Sequence, residues 1–270
     1  MATQSEKAAR FLELHHGDSP LLMPNAWDRG SAVLLASLGF TALATTSSGF
    51  AATLGRPDGA VSRDEALAHA ADLVAATELP VSADLENCYA DDPAGVAATV
   101  RLAVETGLAG CSIEDYRPQG QLYDIGLATE RVAAAAEAAH GGPAHVVLTA
   151  RAENYLRAEP DLADTIARLQ AYAAAGADVL YAPSVTKLSE LREIVSSVSR
   201  PVNVLALPGV PSVANLAAIG VARVSVGGAF AFTALGALAE AGRELRDHGT
   251  YGYWELARPG SAAARAAFRA

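Results

Sequence analysis

Eight short runs rich in β-forming residues, each parted from the next by a stretch of helical periodicity, constrain this chain more than any other feature of its sequence. The runs are Leu21–Met23, Thr41–Thr45, Val81–Ala83, Gly110–Ile113, Val146–Thr149, Val179–Tyr181, Val202–Leu205 and Arg223–Val226. Helical patterns cover Ser62–Thr77, Pro93–Thr106, Leu127–Ala139, Leu162–Ala174, Lys187–Ser197 and Val213–Ile219. Gly107, Gly176 and Gly220 follow helical stretches, as left-handed C-caps feeding the next strand would. Strands that alternate with helices pair in parallel, and eight such units in 270 residues predict an α/β fold, a (β/α)8 TIM-type barrel; an open sheet with an added strand is the alternative. One domain over residues 1–270 is expected, with the barrel at about 20–246 and a C-terminal helical extension at about 247–270. The last barrel helix falls near Ala229–Arg246. Beyond it, Tyr251-Gly252-Tyr253-Trp254 and the alanine-rich Ser261–Ala270 need a surface to cover, and a neighbouring subunit would supply one.

Composition narrows the function. The chain is 51% hydrophobic, ample for one large core, and carries a formal charge of −10 without a Lys/Arg cluster, so a nucleic-acid partner is not expected. Its two cysteines, Cys88 and Cys111, form neither a CxxC pair nor a zinc spacing, which fits a reduced, cytoplasmic setting. No signal-peptide core and no apolar run of membrane-spanning length occurs, so a soluble protein without a membrane partner is expected.

Two of the runs end in acid. Ser82-Ala83-Asp84-Leu85-Glu86 and Ser112-Ile113-Glu114-Asp115 close the third and fourth, and buried strands do not finish in carboxylates unless something positive lies there. The C-terminal strand ends of a barrel form its ligand face, so Asp84, Glu86 and Glu114 are expected to converge. Asp84 and Glu86, two apart, would share one side of their strand, beside Glu114 on the next. Taken singly, each reads equally well as a helix N-cap or a solvated turn residue. Together, close carboxylates repel unless protonated or metal-bound, and oxygen ligands without His or Cys favour Mg2+, with Mn2+ as the alternative, over zinc. Arg151 ends the fifth run, where its guanidinium suits a substrate carboxylate or an enolate oxygen, or a salt bridge to Glu114 or Glu153. Ser47-Ser48-Gly49 offers a hydroxyl and backbone amides to an anion, or is a plain turn. The six histidines are scattered and none pairs with an acidic motif, and no GxSxG elbow occurs, so neither a metal hydrolase nor a Ser/His/Asp triad is expected.

From Met23-Pro24-Asn25-Ala26-Trp27-Asp28 to Val224-Ser225-Val226-Gly227-Gly228, the chain resembles the isocitrate lyase and phosphoenolpyruvate mutase superfamily. Thr46-Ser47-Ser48-Gly49-Phe50, continuing to Leu54-Gly55-Arg56-Pro57-Asp58, looks like that family's substrate loop. The resemblance implies that Thr46, Ser48 and the amides of Gly49 and Phe50 hold the substrate. It implies that Asp84, Glu86, Glu114 and Asp58 form the metal shell, that Arg151 binds a substrate oxygen, and that Asn203 is a polar substrate contact. It further implies a barrel whose eighth helix is exchanged between subunits of a homodimer or homotetramer.

The departures point to the reaction. The loop Asp115–Asp124 lacks the Lys-x-Cys-Gly-His pattern of isocitrate and methylisocitrate lyases. Ser184 stands where those enzymes place a Glu, and Ala229-Phe230-Ala231 lies near where they place an Arg, so a smaller substrate than a tricarboxylate is expected. The mutases and phosphonopyruvate hydrolases carry a Lys-rich loop; here Arg117 is its only cation. What the resemblance retains is enolpyruvate-type chemistry on a small 2-oxo acid or dicarboxylate. The leading expectation is therefore a Mg2+-dependent carbon–carbon lyase, such as an oxaloacetate-type decarboxylase, with Tyr116 or Tyr123 supplying a proton. Phosphonopyruvate hydrolase or mutase chemistry, and a non-catalytic 2-oxo-acid-binding protein, are the alternatives.

Overall fold

The structure, a computed structural model, describes residues 2–118 and 120–268; Gln119 of the Asp115–Asp124 loop and residues 269–270 of the expected tail lie outside the described residues. In chain order the elements are α1 (Gln4–Glu13), β1 (Leu21–Met23), α2 (Arg29–Ser37), β2 (Leu43–Ala44), α3 (Ser47–Thr53), α4 (Arg63–Ala76), β3 (Val81–Asp84), α5 (Pro93–Glu105) and β4 (Gly110–Glu114). Then follow β5 (Tyr116–Arg117), β6 (Gln121–Leu122), α6 (Ile125–His140), β7 (Val147–Arg151), α7 (Asn154–Arg157), α8 (Leu162–Ala174), β8 (Val179–Tyr181) and α9 (Leu188–Ser197). The series ends with β9 (Val202–Leu205), α10 (Val213–Ala217), β10 (Arg223–Ser225), α11 (Ala229–His248) and α12 (Trp254–Ala267).

Eight strands make one sheet in the order β1-β10-β9-β8-β7-β4-β3-β2, and every pair in it is parallel. The ring closes between β1 and β2 by a bridge of Asn25 with Ala44, where Ala26 N–H donates to Ala44 O at 2.7 Å and Ala44 N–H to Pro24 O at 3.0 Å. This is the TIM-type (β/α)8 barrel. Its strands are buried on both faces, as Val147, Leu148, Thr149 and Ala150 show, which is why they read as near-continuous apolar runs. β5 and β6 form a separate antiparallel ribbon in the loop after β4.

Local chemistry sets the helix starts. Ser62 caps α4 in a reciprocal box with Glu65, and Asp92 caps α5 ahead of Pro93. The N-terminal end of the barrel is plugged by α1, whose Phe11 is fully buried. Gly110 permits that plug, because a Cβ there would lie 2.6 Å from Phe11 Cε1 and 3.0 Å from Val147 O. Cys88 and Cys111 are buried free thiols, and burial pushes both up, Cys111 to about 12. Neither is a reactive thiolate.

Two expectations need correction here. Ser47-Ser48-Gly49 is the first turn of α3, capped by Thr46, rather than a plain turn. The stretch beyond Arg246 is also more regular than a tail: α11 runs on to His248, Gly249 closes it at φ 64°, and α12 follows. Most of α11 stands clear of the barrel, with Ala231 its one buried residue, and Phe232, Leu238, Tyr251 and Trp254 are exposed. Among the described residues, no helix is long and apolar enough to cross a membrane.

Candidate active site at the mouth of the barrel

The C-terminal strand ends enclose a cavity of about 160 Å³, room for a small organic acid rather than a nucleotide-sized ligand. Thr46, Ser48, Asp58, Asp84, Glu114, Arg151 and Asn203 line it. An adjoining cavity shares Ser47, Asp58, Glu114 and Arg157 with it and adds Glu86 and Tyr116. The two make one acidic cleft at the ligand face of the fold.

Arg151 is its centre. It ends β7 in register with Glu114 of β4. Its Nη1 lies 2.9 Å from Glu114 Oε1 and 3.3 Å from Asp84 Oδ1, while Nε donates to Glu153 Oε1 at 2.7 Å. The Tyr181 ring lies 5.0 Å from the guanidinium carbon, a cation–π contact. Burial alone would lower the pKa of Arg151, but Glu114, Glu153 and Asp84 outweigh it and hold the guanidinium well above its ordinary value. Burial drives Glu114 upward, Arg151 draws it back, and Glu153 and Asp84 push again, leaving it well above the carboxylate range. One guanidinium does not offset the burial and mutual repulsion of three carboxyls, which is why Glu114 and Glu153 hold their protons more tightly than free carboxyls do.

Asp84 is fixed from two sides, its N–H donating to Thr45 Oγ1 at 2.8 Å and its Oδ2 accepting from Ser47 N–H at 3.1 Å. Glu86 reaches the cleft by a route that strand alternation does not describe. β3 ends at Asp84, and Glu86 sits beyond it at φ 50°, so the expected shared strand face does not exist. The left-handed backbone turns its side chain into the adjoining cavity. Burial, reinforced by Asp84 and Asp58, lifts its carboxyl to about 7. Asp58 stands at the rim, 3.5 Å from Arg157.

Other expected residues are placed differently. The amides of Gly49 and Phe50 are spent inside α3, on Thr46 Oγ1 at 3.3 Å and Thr46 O at 3.0 Å, so neither N–H is presented to a ligand. The Phe50 ring stacks on His69 at 3.8 Å, and neither Gly49 nor Phe50 lines the cleft. What α3 does present is Ser48, whose hydroxyl lies 3.3 Å from that of Thr46. Asn203 lines the cavity but is engaged, donating to Ser225 Oγ at 2.9 Å and accepting from Arg223 Nε at 2.9 Å. Tyr123 is buried away from the cleft. Its hydroxyl donates to Asp91 Oδ1 at 2.6 Å, and the Arg131 guanidinium lies 3.8 Å over its ring. It supports the Asp115–Asp124 loop and lines neither cavity, whereas Tyr116 lines the adjoining one and Tyr181 the first.

Sequence reasoning missed two cavity residues, Arg157 and Arg223, and named Glu153 only as a salt-bridge partner of Arg151, which it is. Glu153 is completely buried beside Arg151 with Oε2 lacking a hydrogen-bond partner, and Arg157, one turn along α7, faces both cavities. Arg223 lies on the cavity floor, at the start of a strand where no ligand residue is expected. The donor set at the mouth, Asp58, Asp84, Glu86 and Glu114, is all oxygen and so matches a hard divalent cation in chemistry; among the described residues no three of these carboxylates stand within 4.8 Å of one another, a spacing that suits an ion keeping several of its waters.

Comparison with known proteins gives the chain a family. The sequence pattern of the family described as phosphoenolpyruvate phosphomutase matches residues 11–246. An uncharacterized protein of Mycobacterium tuberculosis is 38% identical over 88% of this chain and 89% of its own. A 2-methylisocitrate lyase of Halalkalibacterium halodurans is 31% identical over 74% of this chain and 67% of the enzyme. Among solved structures, a Burkholderia cenocepacia J2315 protein provisionally named a lyase/mutase superposes with a TM-score of 0.93 at 50% identity, covering 97% of this chain and 95% of that one. Oxaloacetate acetylhydrolase, solved with its product oxalate, superposes with a TM-score of 0.83 at 25% identity over 93% of this chain and 90% of that one. The chain belongs to the phosphoenolpyruvate phosphomutase family, within the superfamily that also holds the isocitrate lyases.

Proposed function

We propose that this protein is a Mg2+-dependent lyase that cleaves a carbon–carbon bond of a small 2-oxo acid, with oxaloacetate-type decarboxylation as the simplest reaction. The observation that carries the reading is the Arg151 guanidinium, lining the cavity and surrounded by Asp84, Glu114 and Glu153. Such a group stabilises negative charge developing on a carbonyl oxygen. Asp58, Asp84, Glu86 and Glu114 would hold Mg2+, or Mn2+ in its place, which when bound supplies a divalent charge beside the substrate oxygens.

The chain's own groups do the rest. Thr46 and Ser48 hydroxyls hold the substrate carboxylate, Asn203 keeps the floor in register, and Arg151 meets the 2-oxo oxygen. When the bond between the oxo-bearing fragment and the departing carboxylate breaks, its electron pair moves onto that oxygen as an enolate and carbon dioxide leaves. A proton then returns to carbon from Tyr116 or from water that it orders, giving pyruvate. The 160 Å³ cavity supports a small acid, and the likeness to oxaloacetate acetylhydrolase supports a four-carbon one. Assembly as a homodimer or homotetramer by exchange of α11, in a cytoplasmic setting, belongs to the same proposal. Its support is that α11 exposes Phe232, Leu235, Leu238 and Leu245.

A second reading, cleavage of a phosphorus–carbon bond in a phosphonopyruvate-like acid, is favoured by the family pattern and by Arg157, a second cation facing the cleft. Assay of the protein with Mg2+ on oxaloacetate, phosphonopyruvate and methylisocitrate separates the readings by product. Pyruvate with carbon dioxide supports the first and inorganic phosphate the second. Tight oxalate binding with no turnover of any substrate would overturn both in favour of a binding protein.

A further inference from the structure

At the end of the barrel opposite the mouth, three side chains that look unrelated in sequence come together. His140 closes α6, His145 stands in the segment leading to β7, and Asp178 directly precedes β8. The expectation that no histidine meets an acidic partner is corrected here: His140 Nε2 lies 2.9 Å from Asp178 Oδ2, and His145 Nε2 lies 3.0 Å from Asp178 Oδ1. All three ligand atoms fall within 4.8 Å of one another, and among the described residues this is the one group of His, Cys, Asp or Glu at that spacing.

We propose that His140, His145 and Asp178 form a binding site for a borderline divalent ion such as Zn2+, Ni2+ or Co2+, separate from the cleft. Ligand bonds of about 2.1 Å at angles between octahedral and tetrahedral put neighbouring donors roughly 3.0–3.4 Å apart. Both His–Asp pairs already stand close to that spacing. Asp178 is held in place by a third contact, since Oδ2 also accepts from Leu148 N–H at 2.8 Å, the kind of outer support that orients a metal ligand. The two imidazoles stack 3.9 Å apart at 9°, so one ring must turn edge-on for both to ligate. His145 has the freedom to do so, its side chain being 46% exposed against 24% for His140. Two imidazole nitrogens and one carboxylate select against Mg2+ and for borderline ions, with the remaining positions open to water.

The site joins the end of α6 to the entries of β7 and β8, on the face of a barrel that serves stability rather than chemistry. Its effect is therefore read in melting and binding. The full chain, with excess Mg2+ to fill the cleft, is titrated with Zn2+ by calorimetry and melted with and without it. The expected result is one Zn2+ per chain and a raised Tm. His145→Ala should weaken binding at least tenfold and abolish the rise in Tm, while melting as the wild type does in EDTA. His140→Ala repeats the test from the other ligand. Absence of Zn2+ binding by the wild type, or binding by both variants with wild-type affinity and stoichiometry, would overturn the proposal.

Discussion

Two arginines of the same barrel, Arg151 with its side chain 12% exposed and Arg223 buried, stand under opposite electrostatic terms. Arg151 touches Asp84, Glu114 and Glu153 and holds its proton more tightly than a free guanidinium. Among the described residues Arg223 touches no carboxylate. Its Nε meets Asn203 Oδ1 at 2.9 Å, Nη1 meets His15 Nε2 at 3.1 Å, and Nη2 donates to Thr149 Oγ1 at 3.1 Å. Burial draws Arg223 down to about 9, and burial with the Arg223 charge draws His15 down to about 3. The mouth is stocked with carboxyls while the floor below it carries an uncompensated positive charge. On the proposed function, that gradient would draw a carboxylate of the substrate toward the floor.

The comparison breaks first on catalysis. Arg151→Ala should lower turnover of the proposed 2-oxo-acid substrate by about 10³-fold or more, with Asp84→Ala abolishing any Mg2+ dependence; wild-type rates in both variants would remove the cleft from the chemistry.

Stability separates the two arginines next. Arg151→Met strands three carboxylates and should cost about 3–5 kcal/mol in urea unfolding, part of it recovered when Mg2+ is added. Arg223→Met strands only neutral partners and should cost about 1–3 kcal/mol, with no recovery by Mg2+. Equal costs would mean that the carboxylates of the mouth are not strained by their own charge.

The tyrosines sharpen the same contrast between cleft and support. Tyr116→Phe should slow turnover by about 10²-fold with little change in unfolding. Tyr123→Phe should leave the rate alone and cost about 1 kcal/mol, because Asn87 and Asp91 each lose a partner.

The smallest effect is titration of Glu86. The folded protein keeps its proton up to about pH 7, whereas the ordinary carboxyl value is 4.5. Between those values the folded state binds more protons than the unfolded one, so stability in EDTA should fall as pH rises through that window, by on the order of 1 kcal/mol. Mg2+ or Glu86→Gln should flatten the slope, and a wild-type curve already flat in EDTA would show that Glu86 is not crowded by Asp84 and Asp58.

Much of the frame was legible because it obeys periodic rules. β1, β8, β9 and α8 coincide end to end with runs readable from alternation and apolar spacing. The site was legible where a residue ends a strand, as Asp84, Glu114 and Arg151 do. It failed where local backbone decides. The positive φ of Glu86 leaves no mark in a two-residue spacing, and the start of α3 looks like a turn because Ser and Gly serve both. Arg223 was hidden for another reason: a charged residue at the start of a strand gives no hint that three neutral groups from distant segments wait for it. His140, His145 and Asp178 were likewise invisible until the fold closed.

The seam of the ring has a mechanical meaning. β2 is two residues long, and between β1 and β2 the hoop is fastened by the contacts of Pro24, Asn25 and Ala26 with Ala44, whereas β4 and β7 share five paired residues. A hoop breathes at its weakest stave. The stretch that follows β2 is Thr45-Thr46-Ser47-Ser48, which grips Asp84 through Thr45 Oγ1 and Ser47 N–H. Amide exchange should begin at Ala26 and Ala44, so that any loosening of the seam is felt at the mouth before the other joints move, and a ligand bound between Ser48 and Asp84 acts as the clasp.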